Sequence, residues 1–176
     1  MAALQYLIDT LLSLAQLAFL LRLLLQWARA DFRNPLLRSL VELTSPVLVP
    51  LRRLLPAVGR VDTASVLVVL LLGLVRAAVH AVLGIGWAFT TPQALLAYSV
   101  LELVHMILWT YFVSVIGYAL LGTLSQGNYS PALAAFGALA EPILRPIRRL
   151  IPPLANLDLS PLWACILIQA LLLLLP

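Results

Sequence analysis

Lysine is absent from this chain, cysteine occurs once, histidine occurs twice, and charged residues make up only 10% of the 176 positions. A lone thiol, Cys165 within an apolar run, excludes a disulfide framework and a thiolate metal cluster. His80 and His105 have no cysteine or aspartate cluster near them in sequence, so neither a metal site nor a haem site is expected, and no cofactor. No nucleophile with a base and no phosphate-cradling glycine loop stands out, so we expect no catalytic residues and no enzyme. The scarcity of charge argues against a soluble domain, in which roughly a quarter of residues are charged. Eleven basic and seven acidic side chains cannot coat a soluble core of this length.

What is present is hydrophobic: 63% of the chain, in long runs. A membrane span needs about 20 apolar residues, and four stretches approach that length: 3–27, 64–89, 97–123 and 160–176. The N-terminal stretch lacks the basic leader and small-residue cleavage site of a signal peptide, so it is read as the first span. Thr91-Pro92 separates the second stretch from the third, and Ser160-Pro161 offers a cap and a first-turn proline for the fourth. The net charge of +4 is carried by arginine alone. Guanidinium groups suit phosphate and headgroup contacts, although arginine-rich codon usage would give the same composition.

Short basic loops stay cytoplasmic. The first connector carries Arg29, Arg33, Arg38, Arg52, Arg53 and Arg60, and the third carries Arg145, Arg148 and Arg149, while the middle loop from Thr90 to Leu96 carries none. Both arginine-bearing connectors are therefore expected on the cytoplasmic side, with both termini outside.

The chain is a duplication. A shift of 96 residues brings Pro46, Pro50, Arg52, Arg53, Pro56 and Asp62 onto Pro142, Pro146, Arg148, Arg149, Pro152 and Asp158, with Pro35 on Pro131, and needs no insertion. Two repeats follow, 1–89 and 97–176. With two spans in each, the second copy enters from the same side as the first, which predicts parallel repeats about an axis along the membrane normal.

Asn34-Pro35 and Ser130-Pro131 each place a capping residue before a proline and predict helix starts. Leu36, Leu37, Leu40, Val41 and Thr44 then form one stripe, with Arg38, Glu42 and Ser45 opposite, which predicts an interfacial amphipathic helix of about eleven residues. Pro46 and Pro50 predict a bend after it. The arginine pairs that follow read either as headgroup anchors, at about 1 kcal/mol each, or as a docking surface with fixed proline spacing. Asp62 and Asp158 read as helix caps, as partners of an arginine in the same connector, or as both.

Within the spans stand Asp9, Arg22, Arg76, His80, Glu102 and His105. Arg22, five residues before Trp27, is expected to snorkel to the interface. Arg76 and His80 share a helical face, as do Glu102 and His105. At about 1.5 Å per residue Arg76 lies about 18 Å, and His80 about 24 Å, beyond Ala64. Glu102 and His105 reach similar depths from Ala97, so Arg76 with Glu102 is the preferred buried pair. The set reads either as a structural ion pair or as a polar constriction on an ion route. Gly73, Ala77 and Ala81 form a small-residue stripe for close helix approach, within one chain or between copies.

Pro-x-x-x-Pro-[Leu/Ile]-Arg-Arg-x-[Leu/Ile]-Pro, followed by aspartate and a span and present twice, resembles the YggT family of bacterial and plastid membrane proteins over nearly the whole chain. Asp158-Leu159-Ser160-Pro161 is similar to the family's usual Asp-Leu-Ser-Pro, whereas Asp62-Thr63-Ala64-Ser65 departs from it, so only Asp62 carries over in the first copy. The resemblance implies a small multi-pass bacterial inner-membrane protein linked to osmotic tolerance and potassium uptake. Plastid and Gram-positive relatives are linked to cytochrome assembly, nucleoid distribution and the neighbourhood of cell-division genes. No catalytic residues come with it.

The expected architecture is thus an all-α membrane protein with four transmembrane helices in two parallel repeats, each with a cytoplasmic amphipathic element. The expected function is a non-enzymatic scaffold or assembly partner. Its expected partners are anionic lipid headgroups, a protein at the cytoplasmic face and a second copy of the chain, with no nucleic acid bound directly. The alternative is a transport or channel component for potassium or protons.

Overall fold

The computed structural model describes residues 2–55, 62–82, 91–125, 130–150 and 158–175. Pro56, Arg60 and Pro152, and the last seven residues of the predicted 64–89 span, lie outside them. The described residues form six helices and no strand: α1 (Ala2–Trp27), α2 (Pro35–Leu54), α3 (Thr63–Val82), α4 (Pro92–Leu124), α5 (Pro131–Leu150) and α6 (Ser160–Leu174). Three of them, α1, α3 and α4, are long and apolar enough to cross a membrane. The apolar α6 has 15 residues, a rise of about 22 Å.

The helix starts follow local chemistry. The Asn34 side chain accepts from the Leu36 amide, and Ser130 Oγ accepts from the Leu133 amide, each with proline at the first helical position. Thr91 caps α4 in the same way, accepting from the Ala94 amide, so the helix takes in residues 92–96 that sequence reading assigned to a loop. α1 ends where Arg29 adopts a left-handed φ of 57° and the Ala30 amide returns to the Leu25 carbonyl, a C-cap geometry that glycine usually supplies.

The prolines bring a correction. α2 and α5 do not end after eleven residues; each runs for 20, through Pro46 and Pro50 or through Pro142 and Pro146. A proline removes its own bond to the carbonyl four residues back. Because the members of each pair stand four apart, the losses fall on one stripe, and in α2 that stripe is exposed. The opposite face continues unbroken across the prolines: Leu37, Thr44 and Leu48 are buried in α2, and Gly137, Ala140, Leu144 and Ile147 in α5. Leu36, read as part of the apolar stripe, is not covered by the protein and stands 51% exposed.

The chain divides into two compact units, Met1–Leu23 with Thr44–Met106, and Leu24–Leu43 with Ile107–Pro176. In the first, Leu20, Leu48, Ala64, Val69 and Ala77 are buried. In the second, Val115 of α4, Ala140, Leu144 and Ile147 of α5, and Ala164, Ile168 and Leu172 of α6 make one core. Gly117 permits the close approach of α4 and α5, since a Cβ there would lie 2.9 Å from the Phe136 ring.

Candidate functional site

Two kinds of polar cluster are set into this apolar framework. The first kind occurs in both sequence copies, ten residues apart in each. In the first unit, Arg52 donates from Nη2 and Nε to Asp62 Oδ2 at 2.6 and 3.2 Å, and from Nε to Oδ1 at 3.3 Å. The Ser65 hydroxyl donates to the same carboxylate at 2.6 Å. In the second unit, Arg148 Nε donates to Asp158 Oδ2 at 2.9 Å, and Asp158 Oδ1 accepts from the Ser160 amide at 3.0 Å. Asp158, one residue before the Leu159 N-cap, thus takes up the first amide of α6 while it holds Arg148. Each arginine sits in the last turn of a proline-bearing helix and each aspartate precedes the next helix, so the pair ties the end of one helix to the start of the next. Arg53 and Arg149, next in the chain, are exposed.

The two copies differ around this shared pair. Arg148 also donates from Nη1 to Glu141 at 2.8 Å, while Arg145 holds the other Glu141 oxygen at 3.1 Å. In the first copy Arg22 is buried, at 5% exposure, and donates from Nη1 to Thr44 Oγ1 at 2.6 Å and to Ser45 Oγ at 3.2 Å. Arg22, expected to snorkel, thus has its guanidinium on two α2 hydroxyls.

These environments set the charges. Burial alone would push the Asp62 carboxyl up, but hydrogen bonds from Arg52 and Ser65 and the charges of Arg52 and Arg22 outweigh it and hold it below the ordinary carboxylate range. Asp158 is opposed by burial in the same way and held low by Ser160 and Arg148. Burial pushes Glu141 up as well, and the hydrogen bonds and charges of Arg148 and Arg145 together hold it low.

The second kind of cluster lies between α1, α3 and α4 in the first unit. Arg76 Nη2 stands 2.7 Å from Glu102 Oε1 and 3.0 Å from Asp9 Oδ1. His80 Nε2 is 3.0 Å from the same Asp9 oxygen, and the Tyr98 hydroxyl is 3.5 Å from His80 Nδ1. Gln16 bridges inward, accepting from Arg76 Nη1 at 3.3 Å and donating to the Val69 carbonyl at 3.2 Å. Gly73 makes room for it: a Cβ there would lie 3.1 Å from Gln16 Nε2. Glu102 Oε2 is buried without a hydrogen-bond partner. Asp9, Arg76, His80 and Glu102 are therefore brought together, whereas His105 lies exposed on α4. Gln16 and Tyr98 escaped sequence reading. Gln16 had a signal, standing seven residues from Asp9 on the same helical face of an apolar run.

Among the described residues no group of three or more His, Cys, Asp or Glu side chains is arranged to hold a metal ion.

Apolar helices of spanning length with a duplicated arginine–aspartate loop define a class: a small all-helical membrane protein with an internal repeat. The chain belongs to the CCB3/YggT family, which it matches over residues 1–83 and 97–176. It is 38% identical to an uncharacterized protein of Pseudomonas aeruginosa over 160 residues, covering 90% of this chain and 81% of that one. To the uncharacterized protein YggT of Escherichia coli K12 it is 35% identical over 175 residues, covering 97% and 88%. A Haemophilus influenzae protein is 37% identical over 156 residues, covering 88% and 81%. No solved structure gives a significant match.

Proposed function

We propose that this protein is a non-enzymatic scaffold or assembly partner of the bacterial inner membrane, docking through its duplicated proline–arginine elements. The observation that carries this reading is the recurrence of one ion pair, Arg52 with Asp62 and Arg148 with Asp158, each tying a proline-bearing helix to the helix after it. A simple positive-inside anchor needs basic side chains near headgroups but no fixed geometry. Here one arginine of each pair is spent holding the loop, and its neighbour, Arg53 or Arg149, is left exposed at the end of a helix.

In this reading α1, α3, α4 and α6 are the four spans, arranged as parallel repeats, and α2 and α5 lie along the cytoplasmic interface. Both termini face outward. Anionic headgroups contact the arginines, and a cytosolic or membrane protein docks on the loops.

The test is reversal of Arg52, Arg53, Arg148 and Arg149 to glutamate, followed by crosslinking in native membranes. Loss of the partner set supports the reading. An unchanged partner set in correctly inserted protein sinks it.

The cluster of Asp9, Arg76, His80 and Glu102 favours a second reading, a transport or channel component for potassium or protons contributing to osmotic tolerance. Ionisable side chains inside a membrane cost several kcal/mol when unpaired and commonly mark ion routes. Flux through protein-containing liposomes separates the two readings.

A further inference from the structure

The two copies place the same arginine–aspartate pair in unequal electrostatic surroundings. In the second copy Arg148 lies between two carboxylates, Glu141 and Asp158, and Arg145 shares Glu141. Two cations thus meet two anions. The shift of 96 residues places Ser45 where Glu141 stands and Arg22 where Tyr118 stands. In residues 10–23 and 44–75 the sequence holds Arg22, Arg52, Arg53 and Arg60 but one acid, Asp62. Val49 stands where Arg145 stands, so the first copy also holds two cations, Arg22 and Arg52, but has lost one anion at positions that correspond to a balanced cluster.

The geometry of that surplus is specific. Arg22 Nη1 reaches both Thr44 Oγ1 and Ser45 Oγ, and the charges of Arg52 and Asp62 both act on Arg22. Ser45 and Arg52 are only half-buried, so the cluster has an open side, while Arg22, Thr44 and Asp62 are buried behind it. Two guanidinium groups and a hydroxyl are the donor set that binds a phosphate oxyanion with several charge-assisted hydrogen bonds. Arg22 lies five residues before the end of α1, about 7.5 Å along the helix, which in the proposed topology is headgroup depth.

We propose that Arg22, Ser45 and Arg52 form a binding site for the phosphate of an anionic phospholipid, which takes in the first copy the place that the Glu141 carboxylate takes in the second. The second copy carries its anion within the chain; the first recruits it from the bilayer. This proposal rests on the reading of the arginine elements as surfaces facing lipid headgroups.

The test is native mass spectrometry of the full chain in detergent, with phosphatidylglycerol, phosphatidylcholine or inorganic phosphate added. The wild type retains one phosphatidylglycerol per chain and no phosphatidylcholine at equal concentration. Ser45→Glu supplies an internal carboxylate and lowers that retention by about tenfold or more, a binding change on the usual logarithmic scale. Glu141→Ser opens the second site and adds a second retained phosphatidylglycerol, a gain that misfolding does not produce.

Equal retention of the two lipids, or unchanged retention in Ser45→Glu, overturns the proposal. Retention of inorganic phosphate in competition with phosphatidylglycerol overturns the lipid assignment. The docking reading fails separately, by unchanged crosslinks after the four-arginine reversal, because Ser45→Glu leaves Arg53 and Arg149 in place.

Discussion

Arg52 grips both carboxylate oxygens of Asp62, and it does so around an aspartate that is almost fully enclosed. The corresponding Asp158 side chain is 41% exposed, against 1% for Asp62. Removing one partner from a buried pair costs about 3 kcal/mol or more, whereas a solvent-accessible pair contributes about 1 kcal/mol or less. Asp62→Asn should therefore destabilise the protein by about 3 kcal/mol and Asp158→Asn by about 1 kcal/mol. Unfolding in detergent, followed by helical circular dichroism, measures both; equal losses contradict the asymmetry.

Acid should weaken both loops. Asp62, Asp158 and Glu141 are all held below the ordinary carboxylate range in the folded chain, so the unfolded chain binds their protons first. Their stabilisation is fully present above the unfolded value of about 4 and is lost as pH falls through the lower folded values. Stability should stay level from about pH 7 to about pH 5 and decline below about pH 4. Asp62→Asn should flatten part of that decline. A protein whose stability falls instead between pH 7 and pH 5 contradicts this account.

Much of this was legible from the chain. The 96-residue register located both loops, and depth arithmetic along two helices brought Arg76 to Glu102. The length of α2 and α5 was underestimated because a proline's effect depends on which face it occupies. In α2 the lost bonds are confined to one exposed stripe, and the buried face through Leu48 keeps the helix going. For Arg22, distance to the helix end is visible in sequence, but the contacts with the Thr44 and Ser45 hydroxyls are not. Glu141 was overlooked because its counterpart, Ser45, carries no charge. The register that located the loops also contained that difference.

The intramembrane cluster yields its own prediction. Arg76 bridges two carboxylates, so Arg76→Ala leaves Asp9 and Glu102 facing each other without their cation. That loss should cost about 3–5 kcal/mol. Glu102→Gln keeps the shape and leaves Asp9 to hold Arg76, so it should cost less than Arg76→Ala. Unfolding measurements rank the two. In liposomes neither variant should alter potassium or proton flux if the cluster is structural; a flux that Glu102→Gln changes favours the transport reading.

The topology has a direct chemical test. An impermeant thiol reagent applied to intact cells should fail to label Arg53→Cys and Arg149→Cys, each in a Cys165→Ser background, and should label Pro92→Cys. Labelling of one arginine position from outside but not the other would make the repeats antiparallel and remove the shared docking face.

The central claim is that the two proline–arginine elements meet a common partner. A photoreactive residue placed at Arg53 in one strain and at Arg149 in another, with products identified after irradiation of living cells, tests it most directly. The account predicts the same protein captured from both positions, and its loss from each when Arg52 and Arg148 are reversed to glutamate. Capture of unrelated proteins at the two positions, or a shared product that survives the reversal, contradicts it.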